Sequence, residues 1–238
     1  DLANKALDRM RKENPLPGFR GGFGPVADGV HVPTGEFFAD PKDHTASIPL
    51  MICTTFHEWG VTRTNAALEA AGESEIIEAM RSRFADKAAA VYQAYKSNFP
   101  GKSPAEIMTL AASNRQNAVA CGNAKSKQSA PVYMAWFGWE PNLYNGRMRA
   151  FHCIDICFWY DNTDRMYTHT GGGKRPQALA TKMSASLLAF MKTGNPNGAG
   201  LPSWPKFSIE KGETLVLNDQ SEVKNDPDRA ARAALPNP

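Results

Sequence analysis

Cysteine is scarce in this chain, with four in 238 residues, at positions 53, 121, 153 and 157. That is too few for a disulfide scaffold at this length, and the spacing fits no zinc ribbon or finger. Separate buried or half-buried thiols are expected instead. A surplus of one charge is also lacking: 27 Lys and Arg face 24 Asp and Glu, a net +3, too small to call for nucleic acid. Stretches such as 226–232 mix the two signs, as a solvated surface does. The longest apolar runs, such as Ile48 to Cys53, fall far short of the roughly 20 residues needed to cross a bilayer, so no membrane span is expected. No period organises the 19 Gly and 17 Pro, which excludes collagen-like and low-complexity classes. Twelve Phe, five Trp and six Tyr beside a small net charge exclude disorder. Neither G-x-G-x-x-G nor G-x-x-x-x-G-K-[ST] occurs, and H-E-x-x-H fails because Val61 stands where the second His belongs. Gly21 to Gly24 and Gly171 to Lys174 read as flexible loops. No cofactor or metal is called for.

What is present is enough apolar residue for one large domain or two small ones. Residues 1–13 read as an amphipathic helix with Ala3, Leu7 and Met10 on one stripe, ended by Pro15 and Pro17. Residues 14–47 read as an irregular segment with short extended pieces, one at 30–33. Ile48 to Thr54 suits a buried, parallel strand. From Thr62 to about Ala120 the pattern is helical, with helices over 73–84 and 87–95. A capping box, Ser103 with Glu106, opens a third on Pro104. Residues 131–137 form an aromatic strand, followed by a long connection over 138–177. Long irregular connections inside compact domains are usually functional. A helix over 179–192 closes at Gly194, a short strand follows at 214–217, and 226–234 reads as a terminal helix. Strands separated by helices imply an α/β fold with a mostly parallel sheet. Three strands against six or seven helices would leave both sheet edges exposed. With a start that resembles the middle of a helix, this predicts a sheet that continues beyond the 238 residues.

Five histidines are the candidates for acid–base chemistry. His31, His44 and His169 sit in polar surroundings and are expected at the surface. His57 and Glu58 directly follow the first strand, and His152 lies in the connection after the second. Active sites of open α/β sheets form at the carboxyl ends of the strands, so Glu58 and His152 are expected to meet there. An imidazole held by a carboxylate is the base half of a nucleophile–His–acid triad. From spacing alone, the plainer account is a satisfied core histidine and an acid at a helix N-terminus. A triad also needs a nucleophile, and the G-x-S-x-G elbow is absent; Gly72 to Ile76 lacks the last Gly and lies between helices.

At these residues the sequence resembles the C-terminal half of a type B carboxylesterase, the cholinesterase-like branch of the α/β-hydrolases. Residues 25–33 (PVADGVHVP) are similar to that family's P-V-x-D-G-x-x-x-P. Residues 48–60 (IPLMICTTFHEWG) are similar to the strand and loop that bear the catalytic acid. Residues 131–137 match the following strand, and 150–158 (AFHCIDICF) the segment bearing the catalytic His, with an acid, Asp155, three positions on. Residues 190–197 and 201–205 are similar to the late helix end and the loop after it.

The resemblance covers nearly all of 1–238, as the C-terminal portion of one α/β-hydrolase domain, with 62–128 as the helical wall of a substrate gorge. It implies Glu58 as the triad acid, His152 as the general base and a small-molecule ester as substrate. The family's Ser elbow and oxyanion-hole glycines belong to an N-terminal half. They are therefore expected in a preceding segment or a partner chain, and these 238 residues alone are expected neither to hydrolyse esters nor to fold stably. Departures from the family pattern are Cys53 for a frequent Gly, His57 for a frequent Asp, Cys153 for a frequent Gly and Cys157 for a frequent Pro.

Two other readings stand beside the ester hydrolase. One is a non-catalytic binding or adhesion-type member of the same fold. The other is a metal site built from His152, Asp155 and Cys157, which no spacing supports. Trp136, Trp139, Phe158 and Trp159 fit either apolar substrate walls or simple core. Compartment, disulfide state and substrate stay open.

Overall fold

The aromatic strand anticipated at 131–137 is the centre of the molecule, with every residue of Val132–Phe137 buried. The protein is described here from a computed structural model, over residues 1–13, 28–32, 34, 38, 45–60, 65–198 and 200–236. His44, the Gly21–Gly24 loop, Thr62 and most of the 25–33 motif lie outside the described residues.

In chain order the elements are α1 (Leu2–Glu13), β1 (Leu50–Thr55), a 3-10 turn at Ala66–Ala70, α2 (Glu73–Phe84), α3 (Ala88–Asn98), α4 (Pro104–Ala111) and α5 (Arg115–Lys125). Then follow β2 (Val132–Phe137), α6 (Ile156–Trp159), α7 (Tyr167–Thr170), α8 (Lys174–Thr193), β3 (Glu213–Leu217), β4 (Glu222–Asn225) and α9 (Arg229–Arg232). The sheet runs β1-β2-β3-β4. The first three strands are parallel, with Leu50 opposite Val132 and Met134 opposite Thr214.

β4 is antiparallel to β3 and corrects the count of three strands. Its sequence, EVKN, has no apolar alternation because it lies at an edge and is largely exposed. The helix expected at 226–234 is one turn, Arg229–Arg232, since Pro227 cannot donate a backbone bond and Asp226 takes a left-handed φ of 39°. Val30 to Val32 are not an extended piece. The Asp28 carboxylate accepts the N–H groups of Val30, His31 and Val32 at 2.9, 2.8 and 2.9 Å and folds them into a turn. Those bonds hold its pKa far below the usual carboxylate range.

Side chains of β2 alternate between two cores. Tyr133, Ala135 and Phe137 face a cluster with Phe158, Leu179, Met183 and Trp204, supplied by α6, α8 and the loop after it. Trp136 faces the opposite cluster with Ile76, Tyr92, Tyr95 and Leu110 from α2, α3 and α4. Val132 and Met134 meet Val119 of α5 and Phe207. At Gly122 of α5 an added Cβ would stand 2.6 Å from the Met134 side chain, so glycine lets this helix lie close on the sheet. Arg115 is fully buried; its Nε bonds Asp228 at 3.2 Å and its Nη2 donates to Thr214 Oγ1 at 2.8 Å, tying α5 to β3 and the C-terminal turn.

Local rules place several boundaries. Ser103 Oγ accepts from Glu106 N at 3.3 Å while Glu106 Oε2 accepts from Ser103 N at 2.9 Å, the capping box that starts α4. Gly194 ends α8 at φ 73°, where it also lets Pro49 approach. Unlike β2, β1 is only partly buried along most of its length.

Candidate active site

Parallel pairing runs past the ends of the strands. Phe56 N donates to Phe137 O at 2.9 Å, and His57 N donates to Ala150 O at 3.1 Å. His57 and Phe151 form an isolated parallel bridge. The residue after each bridge partner is Glu58 on one side and His152 on the other, so register sets them abreast. Their side chains meet: Glu58 Oε2 lies 2.7 Å from His152 Nδ1. The other carboxylate oxygen, Oε1, accepts from Thr55 N at 2.9 Å, which orients the acid from the last residue of β1. The Glu58 side chain is 10% exposed and that of His152 45%.

Beside an ionised carboxylate, which only accepts, a neutral imidazole carries its hydrogen on Nδ1 and its lone pair on Nε2. That is the tautomer of a general base. No described residue bonds Nε2. One face of the imidazole stacks on Trp59, with ring centroids 4.8 Å apart and planes inclined by 22°. Nothing in the sequence pattern singled out Trp59; adjacency to Glu58 is the one signal that could have.

Other candidates separate clearly. His57 is buried, and neither ring nitrogen has a hydrogen-bond partner among the described residues. Burial, and after it the Arg149 and Lys102 charges, pull its pKa down to about 3, so it stays neutral. His31 and His169 are exposed, as expected. Asp155 accepts from Trp159 Nε1 at 3.2 Å; burial and then the nearby Glu58 charge raise its pKa. The four thiols are free. Cys157 is buried, donates to Ile154 O at 3.1 Å, and has its pKa pushed up to about 11, chiefly by burial. Burial likewise raises Cys53 well above the ordinary thiol range. Among the described residues no three His, Cys, Asp or Glu form a group fit to hold a metal ion, so His152, Asp155 and Cys157 are not assembled as ligands. Trp136, Trp139, Phe158 and Trp159 are all buried in the cores.

A network of charges unseen in the sequence holds the connection that carries His152. Arg149 grips Glu69 with Nη1 at 2.7 Å and Nη2 at 2.8 Å, and its Nε lies 3.6 Å from Glu106. Lys102 reaches Glu106 and Glu140, each at 3.0 Å. Glu69, Glu106, Glu140 and Arg149, together with Tyr144 and Arg147, line a cavity of about 690 Å³.

A model of the carboxylesterase family matches residues 4–234. The para-nitrobenzyl esterase of Bacillus subtilis (strain 168) is 29% identical over 245 residues, covering 97% of this chain and 46% of that protein. A phenmedipham hydrolase of Pseudarthrobacter oxydans is 29% identical over 157 residues, covering 62% of this chain and 31% of that protein. Among solved structures, the Geobacillus stearothermophilus carboxylesterase EST55 superposes with a TM-score of 0.65 at 26% identity, over 96% of this chain and 51% of that one. The chain thus spans about half the length of the relatives it matches. These neighbours have the α/β-hydrolase fold anticipated from the sequence, and no described helix is long and apolar enough to cross a membrane. On its fold and on a family match that runs from residue 4 to residue 234, the chain belongs to the carboxylesterase family.

Proposed function

We propose that the protein hydrolyses carboxylic esters by acyl transfer, with Glu58 as the triad acid and His152 as the general base. In this reading the Ser nucleophile and oxyanion hole come from a segment preceding these 238 residues or from a partner chain. Residues 1–238 are then the C-terminal portion of one catalytic domain, and 62–128 its gorge wall. The observation that carries the reading is the 2.7 Å contact between His152 Nδ1 and Glu58 Oε2, at the carboxyl ends of two adjacent parallel strands.

The chemistry follows from that contact. Nε2 takes the Ser Oγ proton as the oxygen attacks the ester carbonyl carbon. The tetrahedral intermediate expels the alcohol, which receives that proton from His152, and an acyl-Ser ester remains. Water then attacks the acyl carbon as His152 removes its proton; Ser leaves reprotonated and the carboxylic acid is released. Glu58 holds the tautomer throughout and stabilises the imidazolium.

The test is hydrolysis of short p-nitrophenyl esters by the protein in its native, active form, with and without His152→Ala. Loss of turnover by roughly 10⁴-fold or more is expected. Near-normal turnover would sink the proposal. Labelling of the unsubstituted protein by a fluorophosphonate probe is also expected. Its failure would favour a binding protein of the same fold.

A further inference from the structure

Glu58 restrains His152 at one point, the Nδ1 edge. A single hydrogen bond fixes the distance between two atoms and leaves the ring free to tilt about the line joining them. A second surface is needed to set the plane of the imidazole and hence the direction of the Nε2 lone pair. The structure supplies one. The Trp59 indole lies along a face of the ring at 4.8 Å between centroids and 22° between planes. Trp59 is 49% exposed, and part of its indole face is covered by the imidazole. Among the described residues it belongs to none of the three buried clusters that touch β2.

We propose that Trp59 is a positioning residue for His152, acting with Glu58 to hold the imidazole at an edge and a face. The inference rests on the reading of His152 as the general base. A base must meet the proton it removes within hydrogen-bond reach and in line, and an error of about 1 Å in such placement costs roughly 100-fold in rate. The indole face is also the favourable neighbour for the imidazolium formed once the proton is taken. Because Trp59 follows Glu58 in the chain, one short loop delivers both restraints.

The experiment pairs Trp59→Leu, apolar but unable to stack, with Trp59→Phe, which stacks over a smaller area. The first readout is the proton NMR resonance of the His152 ring Cε1–H, assigned by its disappearance in His152→Ala. Stacking shifts this resonance upfield. Trp59→Leu should move it downfield, with Trp59→Phe in between. The second readout is steady-state kinetics of the native, active protein on p-nitrophenyl esters. Trp59→Leu should lower kcat by about 10- to 100-fold with KM changed less than about 2-fold, and Trp59→Phe should restore most of kcat. An unmoved resonance overturns the stack. A moved resonance with unchanged kcat overturns the positioning role, as does a loss confined to KM, which makes Trp59 a substrate wall. If His152→Ala itself retains turnover, the acid–base reading has failed; if it is inactive while Trp59→Leu is normal, the positioning inference alone has failed.

Discussion

The two loops that supply the candidate acid–base pair are built on opposite principles. The acid-bearing loop is short: Glu58 stands three positions past Thr55, the last residue of β1, and its carboxylate accepts from that residue's own N–H at 2.9 Å. Local backbone geometry is enough to aim it. The base-bearing connection runs from 138 to His152 and is irregular. Tyr144, Asn145 and Arg149 take left-handed φ values of 50°, 57° and 49°, and Cys153 follows at 70°. Each such non-glycine residue costs on the order of 1 kcal/mol or more. Charges offset this at both ends, through Glu140 to Lys102 and through Arg149 to Glu69. Arg149 is 11% exposed, and a bidentate pair so shielded is stronger than its solvent-exposed counterpart. A short loop is thus aimed by the strand it leaves, and a long one by the wall it leans on.

Three substitutions probe that contrast, from the largest expected effect down. Glu58→Gln should lower kcat by about 10³- to 10⁴-fold while leaving thermal stability nearly unchanged, because the amide oxygen keeps the bond from Thr55 N and its NH2 then faces Nδ1 as a donor, which favours the wrong tautomer. Parallel rate and melting measurements would separate this from unfolding; a loss of stability matching the loss of rate would mean the short loop is not locally held.

Arg149→Met strips the long connection of its main tether and takes from Glu69 its bidentate guanidinium partner, while Glu106 keeps Lys102. A destabilisation of about 2–4 kcal/mol is expected, near the lower end for breaking a buried pair because Glu69 is part-exposed, together with a roughly 10-fold fall in kcat. Denaturant melts and kinetics on the same sample check both. An unchanged kcat would mean that the 57–151 bridge alone positions His152.

His57 lies where the two loops touch, and its effect is the smallest. Its folded-state pKa of about 3 is below the ordinary value of about 6.5. Its contribution to stability is therefore fully present above pH 6.5 and is lost as pH falls toward 3, at up to about 1.4 kcal/mol per pH unit. Between pH 6.5 and 5 that amounts to between about 1 and 2 kcal/mol. Denaturant unfolding of His57→Leu across this range should show a flatter pH dependence than the unsubstituted protein. Equal slopes would show that the loop contact is not what acid breaks.

Much of the frame was legible in the residues. The apolar runs at 48–54 and 131–137, the capping box at Ser103 and the stop at Gly194 each correspond to an observed boundary, since each rests on local physics. β4 was not legible, because an exposed edge strand such as EVKN is held by backbone bonds that any side chain permits. The short helices α6 and α7 inside 138–177 are single turns of four residues, below the length at which apolar periodicity shows. Placement of Glu58 and His152 at strand ends could be inferred, yet the ion pairs that steady the latter could not. Arg149 and Glu69 are 80 positions apart, and nothing in either local stretch records the other.

By itself the sequence determined the three parallel strands, the longer helices and that an acid and an imidazole each follow a parallel strand. Hydrophobic run length, capping and turn chemistry act over a few residues and are written where they act. Only the tertiary structure decided that the imidazole meets the carboxylate edge-on, that an indole covers its face, and that a guanidinium clamps the connection behind it. Those outcomes depend on the His57–Phe151 register and on the ion pairs of Glu140 with Lys102 and of Arg149 with Glu69, all of which join positions far apart in the chain.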